Sequence, residues 1–378
     1  MSGAESHAHP TNDVPDGSSA ASDGFLSSWV LRATTGSFVL AAILAVFVVV
    51  VNGVGSAVTQ PVLIIFLVNL PVVVGLQTFS GNSGVISFGH VAFMAIGAYT
   101  AALMSTPVLV KQTELANAPA FIRNAHFGFV GSALIAVAVT ACVAFPLGFV
   151  FARLAHPAAA SIASLGWLVI AQTIIANWYS VTHGTATFYG IPSYTTVWNA
   201  LLCGVIVIVA AMTFRRSPIG YGLRATKSNP LVARAIGVNM VRARVAAWVL
   251  SAALAAVGGV LYSGYLVSLA PSNFFFSLTV TIVVMAIIGG PTVSGAVVGA
   301  IVISVLNEVL RRVETATSRP GLSTVVVAAI FTALMMTRPE GLLGRWELDE
   351  IALRGLRRLI LSRTVRLAPR SREEVDAP

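Results

Sequence analysis

Apolar residues run through this chain in long blocks separated by short polar or glycine-rich stretches. The blocks fall at 36–58, 61–80, 85–106, 127–152, 158–179, 197–214, 245–268, 274–290, 292–310 and 321–338. A helix needs about 20 mostly apolar residues to cross the hydrocarbon core of a bilayer, so the pattern predicts about ten membrane segments. The expected fold class is all-α and polytopic, with some segments short or broken. The 274–310 region reads either as two short spans or as one span and a re-entrant piece.

Composition agrees with this pattern. Hydrophobic residues make up 56% of the 378 and charged residues only 10%, against roughly 25% charged in an ordinary soluble domain. Between Gly24 and Asn307 the sole carboxylate is Glu114. Such a chain has too little polar side chain to cover a water-exposed surface. The inter-block loops are short, which leaves no room for a soluble catalytic domain. The first 30 residues are polar, lack a basic region leading into a cleavable apolar core, and read as a disordered leader.

Basic residues collect on the cytoplasmic side of membrane proteins. The 215–244 loop carries Arg215, Arg216, Arg224, Lys227, Arg234, Arg242 and Arg244, and the C-terminal tail is rich in arginine. Both are expected inside. Counting spans in either direction then puts the N-terminus and the C-terminus in the cytoplasm, provided 274–310 crosses twice. The outer loops become 107–126, 180–196, 269–273 and 311–320. Arg311, Arg312 and Arg319 then lie outside, against the rule. Tail residues Arg354, Arg357, Arg358, Arg363 and Arg366 suit anionic lipid headgroups, and nucleic-acid binding is a poor fit for a membrane-fixed tail.

Candidate chemistry is sparse. Cys142 and Cys203 lie inside apolar blocks, and the histidines are scattered, so neither a disulfide framework nor a metal site is expected. A phosphate-binding loop needs a glycine before its lysine. The only two lysines, Lys111 and Lys227, follow Val110 and Thr226. The chain therefore has no ATP site of that kind. Acid-poor spans also disfavour proton coupling, although sodium coupling through backbone carbonyls stays open.

Two breaks interrupt the apolar pattern. Gly81-Asn82-Ser83-Gly84 is followed by Ser87, Phe88, Gly89 and His90; it is either a tight turn or a pair of helix ends lining a path. Gly289-Gly290-Pro291 precedes the Gly295/Gly299 pair, whose small residues suit close helix packing or a cavity-lining break. Glu308 reads as an interfacial partner of Arg311 and Arg312. The stretch Arg224–Ile236 fits one or two helical turns interrupted at Pro230, with Leu231, Val232, Ala235 and Ile236 free to dock into a partner groove.

Several stretches resemble one family in order from about 61 to 343. GNSGVISFGHVAFMAIGAYTAALM is similar to a signature of branched-chain amino-acid ABC permeases. SPIGYGLRATKSNPLVARAIGVN resembles their cytoplasmic coupling loop. AAWVLSAALAAVGGVLYSGYLVSLAPSNFFF and VVMAIIGGPTVSGAVVGAIVI resemble two further segments, and the whole is closer to the larger permease type of this class. Lys227-Ser228-Asn229-Pro230 departs from the acidic residues common in that loop. Thr182–Pro192, THGTATFYGIP, matches an outer-segment pattern only loosely.

The resemblance implies a 33–343 permease domain between a 1–32 cytoplasmic leader and a 344–378 basic tail. It implies a multi-pass protein of the bacterial inner membrane, importing branched-chain amino acids or a related small solute by alternating access. It implies a transport subunit rather than an enzyme. Its implied substrate path is Gly81, Asn82, Gly84, Ser87, Phe88, Gly89, His90, Gly289, Gly290 and Gly295. Its implied ATPase-docking residues are Gly220, Arg224, Ala225, Asn229, Ala233 and Gly237. The implied partners are a second permease, two P-loop ATPases that hold the ATP and Mg, an extracytoplasmic solute-binding protein and membrane lipids. An ion-coupled secondary transporter acting alone is the alternative.

Overall fold

The computed structural model describes residues 36–347 apart from 54–58, 116, 155, 319, 320, 339, 345 and 346. The 1–32 leader and most of the 344–378 tail, with its arginines, lie outside the described residues. The chain opens with α1 (Gly36–Gly53), α2 (Thr59–Ser83), α3 (His90–Ser105), α4 (Val108–Glu114) and α5 (Ala120–Asn124). It continues through α6 (Phe129–Arg153), α7 (Pro157–Asn177), the single turn α8 (Tyr179–Thr182) and α9 (Val197–Arg216). Two short helices, α10 (Pro218–Ser228) and α11 (Pro230–Ala235), lead into α12 (Met240–Leu266). The last three are α13 (Phe276–Gly289), α14 (Val293–Thr317) and α15 (Leu322–Thr337). Among the described residues there is no β-strand, only an isolated bridge between Phe188 and Leu269.

Among the described residues eight helical stretches are long and apolar enough to cross a membrane, one of them α13 extended back to Pro271. The α3–α4 pair, bent by 115° at the break after Ser105, is either a broken span, which makes a ninth, or a re-entrant loop. The apolar α15, at 16 residues, is shorter. Every apolar block of the sequence is thus a helix, and the protein is an all-α polytopic membrane protein. The 274–310 region resolves into two separate helices, joined at Gly290–Thr292.

Uniformly apolar helices carry no face signal in their hydropathy, so small residues decide which ones meet closely. The centre is α12, packed between α2 and α3 and against α6. At Gly259 an added Cβ would strike the Met94 carbonyl, and at Gly97 it would lie 2.7 Å from Ala256 Cα. Gly75 of α2 faces the Ser251 carbonyl at 2.8 Å in the same way. Backbone therefore rests on backbone along both sides of α12. The hydropathic window of α2 is 83% buried, whereas those of α1, α6 and α7 are 28% buried and form the outer wall.

Connections gather at two ends. At one end Glu114 lies 3.9 Å from His183, and the Phe188 and Leu269 backbones exchange hydrogen bonds of 2.8 and 2.9 Å. Three of the expected outer loops, 107–126, 180–196 and 269–273, thus meet. Lys111, placed by the sequence in a polar loop, is completely buried there. Its ammonium donates to the carbonyls of Leu103 (2.9 Å), Ile122 (3.1 Å) and Ala125, pinning the bend. At the other end lie the α2–α3 break, the α13–α14 break and the 217–239 segment. Glu308 accepts from Arg311 (2.9 Å) and Arg312 (2.7 Å) on α14, as its spacing implied.

Candidate functional site: two helix breaks around one cavity

The first break forms because Gly84 adopts φ +77°, a left-handed conformation that glycine takes without steric cost. Its N–H still bonds Ser80 O at 2.9 Å, after which the chain leaves the helix until His90. The 84–89 loop is bolted in place by short polar side chains. Ser164 Oγ on α7 accepts from the Phe88 N–H (2.9 Å), and Ser161 Oγ donates to Ile86 O (2.6 Å). His90 bonds Ser87 Oγ through Nδ1 at 3.0 Å and Ser251 Oγ of α12 through Nε2 at 2.9 Å. Its ring sits among Phe79, Phe93 and Trp248. Both ring nitrogens are satisfied, so His90 is a cross-brace between α3 and α12.

The second break turns at Gly290, φ +105°. Thr292 caps α14 by accepting from Gly295 N at 2.9 Å. Gly289 and Gly295 lie backbone to backbone, and Gly299 packs under the Met285 carbonyl. The Gly295/Gly299 pair therefore serves helix packing. The segment after α15 returns beneath the break, where Leu342 N bonds Ile288 O at 2.8 Å and Leu343 N bonds Gly289 O at 3.3 Å. Glu347, buried, then accepts from Val293 N (3.1 Å), Ser294 N (3.0 Å) and Ser294 Oγ (2.5 Å). A carboxylate at the N-terminus of α14 meets both orphan N–H groups and the positive end of the helix dipole. Its fourth partner is Arg215 Nε at 2.7 Å.

The 217–239 segment is helical because each of its turns is capped. Ser217 Oγ accepts from Gly220 N (3.1 Å), Asn229 Oδ1 from Leu231 N (3.0 Å) and Val232 N (3.2 Å), and Asn239 Oδ1 from Arg242 N (3.0 Å). Asn229 with Pro230 separates α10 from α11, where the sequence indicated an interruption. Gly237, φ +81°, ends α11. Ala225 is half-buried and Ala233 is buried, while Leu231, Val232, Ala235 and Ile236 are exposed. At Gly220 a Cβ would strike the Phe214 carbonyl. Gly220 and Ala233 thus hold the segment to the bundle, and its apolar tip points away.

This segment touches the first break directly, and Arg215 at the end of α9 joins it to the second. Arg224 Nη1 donates to Asn82 Oδ1 (3.1 Å) and to Arg215 O (2.6 Å), and its guanidinium lies over Tyr221, 4.6 Å from the ring centroid. Lys227 Nζ donates to Gly81 O at 3.3 Å. Arg215 Nη1 donates to Pro291 O at 3.1 Å. Gln77 of α2 closes the ring by donating from Nε2 to Gly290 O.

The breaks enclose a cavity of about 320 Å³ lined by Gly81, Gly84, Gly290 and Pro291, with Gln77, Lys227 and Glu340 among its polar residues. Of the path residues implied by sequence, Gly81, Gly84 and Gly290 face it. Asn82, Ser87, Phe88, Gly89, His90, Gly289 and Gly295 stand behind its wall, holding the helices that form it. A larger cleft of about 720 Å³ between α3, α6 and α7 is mostly apolar, with Tyr99 and Trp167 on its wall carrying a buried hydroxyl and ring N–H without a hydrogen bond in the described structure. Among the described residues no group of histidine, cysteine or carboxylate side chains is placed to hold a metal ion. Sequence reasoning missed Gln77, Arg215, Ser251 and Glu347. Only Glu347 had a signal, as an acid in an acid-poor chain.

The described residues thus form a polytopic bundle of apolar helices with two facing breaks. The model of the family described as branched-chain amino acid transport system / permease component matches residues 62–336, and the chain belongs to that family. It is similar to the high-affinity branched-chain amino acid transport system permease protein LivM of Salmonella typhimurium and of Escherichia coli, 25% identical over 303 and 304 residues. Each alignment covers 71% of this chain and 66% of the relative, so the chain spans just under two thirds of their length. The LivH permease of Salmonella typhimurium is 24% identical over 306 residues, 74% of this chain and 92% of LivH. The likeness is to the larger, LivM-like type. No solved structure matches.

Proposed function

We propose that this chain is a permease subunit of an ATP-driven importer for branched-chain amino acids or a related small solute. It works by alternating access with a second permease of the LivH kind, two P-loop ATPase subunits and an extracytoplasmic binding protein. ATP and Mg reside in the ATPase partners. Both termini and the 217–239 segment lie in the cytoplasm, where the density of arginine belongs.

The observation that carries this reading is the simultaneous grip of one short stretch, from Arg215 at the end of α9 to Lys227 of α10, on both helix breaks. Arg224 and Lys227 hold the first break through Asn82 and Gly81, and Arg215 holds the second through Pro291 and Glu347. Exposed Leu231, Val232 and Ile236 offer a partner the apolar anchors of a helix-in-groove contact. A push on α11 therefore reaches both walls of the cavity through hydrogen-bonded side chains. The ligand and the nucleotide each shift the balance of states only by binding them unequally.

Arg224→Glu in the assembled importer tests the reading. The substitution puts a carboxylate against Asn82 Oδ1 and the Arg215 carbonyl. ATP hydrolysis should continue while uptake in proteoliposomes falls by about tenfold or more, the equivalent of about 1.4 kcal/mol of coupling. Unchanged uptake removes the segment from the coupling role. Uptake by the purified chain without ATP or partners favours an ion-coupled carrier.

A further inference from the structure

We infer that the groove between α1, α2 and α14 is a binding site for one anionic phospholipid, its phosphate on Arg312 and an acyl chain laid along the apolar walls. Such a site needs only the membrane-spanning fold and is independent of the proposed transport role.

Arg311 and Arg312 fall on the outer side in the proposed orientation, against the charge rule, and no step of transport uses them. At a rise of about 1.5 Å per residue, Arg312 stands about 28 Å along α14 from Val293, close to the roughly 30 Å of a hydrocarbon core. Both guanidiniums therefore sit at headgroup level, with 59% and 55% of their side chains exposed. Glu308, only 13% exposed, accepts from Nε and Nη2 of Arg311 and from Nε of Arg312. That shielded carboxylate fixes the pair and leaves the Nη edge of Arg312 to a further acceptor, a geometry suited to phosphate. Glu314, the other acid nearby, is turned to the start of α15, where it accepts from Gly321 N, Ser323 N and Ser323 Oγ. The charge offered to the outside is thus positive.

The groove, of about 280 Å³, leads to this cluster. On α14 its lining positions Ile301, Val305, Val309 and Arg312 follow one another along one helix face, so it runs with the helix up to the guanidinium. Phe47 of α1 and Phe66 of α2, edge to face at 5.8 Å, form the facing wall. Charge and shape together select the occupant. A free anion would leave the apolar walls bare, and an uncharged lipid would leave Arg312 without an acceptor. A zwitterionic lipid would bring its ammonium against two guanidiniums. A transmembrane helix, about 10–12 Å across with its side chains, is too broad for the volume. An anionic phospholipid matches both the cation and the walls. It would touch the far ends of α2 and α14, the helices that lead into the first break and out of the second.

The test uses the purified full chain in detergent, titrated with dioleoyl phosphatidylglycerol, dioleoyl phosphatidylethanolamine and inorganic phosphate. Bound lipid is read by native mass spectrometry and stabilisation by a melt. Phosphatidylglycerol should bind about tenfold tighter than phosphatidylethanolamine, and phosphate alone should leave the melt where it was. Arg312→Gln should weaken phosphatidylglycerol by about tenfold and leave phosphatidylethanolamine nearly unchanged. Val305→Trp fills the groove from a position that is 51% exposed. It should weaken both lipids by a similar factor and keep the preference between them. Without lipid, both variants should melt as the parent does, since both side chains face outward. This crossed pattern is one that misfolding does not imitate. Equal binding of the two lipids by the parent, or a preference that survives Arg312→Gln, overturns the headgroup contact and the site with it. Parental binding of both lipids by Val305→Trp puts the chain elsewhere and overturns the groove. Phosphate that stabilises as much as phosphatidylglycerol also overturns the lipid site, leaving a bare anion contact.

Discussion

The two helix breaks share one cavity, and Arg224 and Lys227 reach the first as Arg215 reaches the second, yet the rest of what braces them differs. The first is fixed by short neutral groups: Ser87, Ser161, Ser164 and Ser251 hydroxyls around His90, inside a cage of Phe79, Phe93 and Trp248. A serine hydroxyl has one rotor and little reach, so these bonds break if the helices slide by more than a fraction of an ångström. The second break is held by Arg215, Glu347 and Gln77 and by a returning strap of backbone. Long side chains keep contact while their backbones shift. On the alternating access proposed above, the first break is the fulcrum and the second the part that travels.

The comparison is broken most violently by Gly289→Leu. There the new side chain meets the Gly295 carbonyl, a backbone atom that cannot rotate away. Overpacking of that kind costs about 3 kcal/mol or more. Folded yield and leucine uptake should both be lost, in a detergent melt and a proteoliposome assay. A normal melt would mean that α13 and α14 need not touch at the turn.

Next in size is Glu347→Ala. It strips Arg215 of its carboxylate and leaves two N–H groups at the start of α14 without an acceptor. Breaking a buried ion pair from one side costs about 3 kcal/mol, and here 13% of the Arg215 side chain stays exposed to soften the loss. Uptake should fall further than stability alone explains, because the pair joins the gripping segment to the travelling break. Uptake that tracks the melting temperature would reduce Glu347 to a helix cap.

His90→Ala sharpens the contrast from the other side. It leaves Ser87 and Ser251 hydroxyls facing a void, at about 2 kcal/mol. The melting temperature should drop, while the ratio of uptake to ATP hydrolysis in the surviving protein stays near that of the parent. A changed ratio would make the first break a moving part as well.

Much of this was legible in the sequence, and the reason for the remainder is physical. The breaks were visible at Gly81–Gly84 and Gly289–Pro291 because glycine, asparagine and proline interrupt apolar runs whatever the partners. The two helices in 274–310, the packing role of Gly295 and Gly299, the Glu308 ion pair and the Asn229–Pro230 interruption were local as well. What lay hidden was long-range. The His90–Ser251 bond spans 161 positions and the Gln77–Gly290 bond 213, and uniformly apolar helices give no periodicity from which facing residues can be read. Of the residues implied near the path, Gly81, Gly84 and Gly290 line the cavity, while His90 and Ser87 make bonds between the helices behind it. Lys111 falls in the expected outer loop 107–126, and its burial was not foreseen because three backbone carbonyls folding around an ammonium leave no mark in composition.

Gly84→Ala is the mildest test and bears on the gripping segment itself. Gly84 holds φ +77°, and an added Cβ would lie 3.0 Å from Lys227 Cγ. The left-handed backbone costs an alanine about 1 kcal/mol. The contact is with the stem of a flexible side chain, so Lys227 moves rather than the helix. The melt should shift little, while the Lys227 bond to the Gly81 carbonyl is displaced at the cavity mouth. Coupled uptake should therefore fall by a few-fold, less than for Arg224→Glu, because Arg224 still holds Asn82. A Gly84→Ala effect on uptake as large as that of Arg224→Glu would shift the grip on the first break from Asn82 to the Gly81 carbonyl, and with it the point where the fulcrum is held.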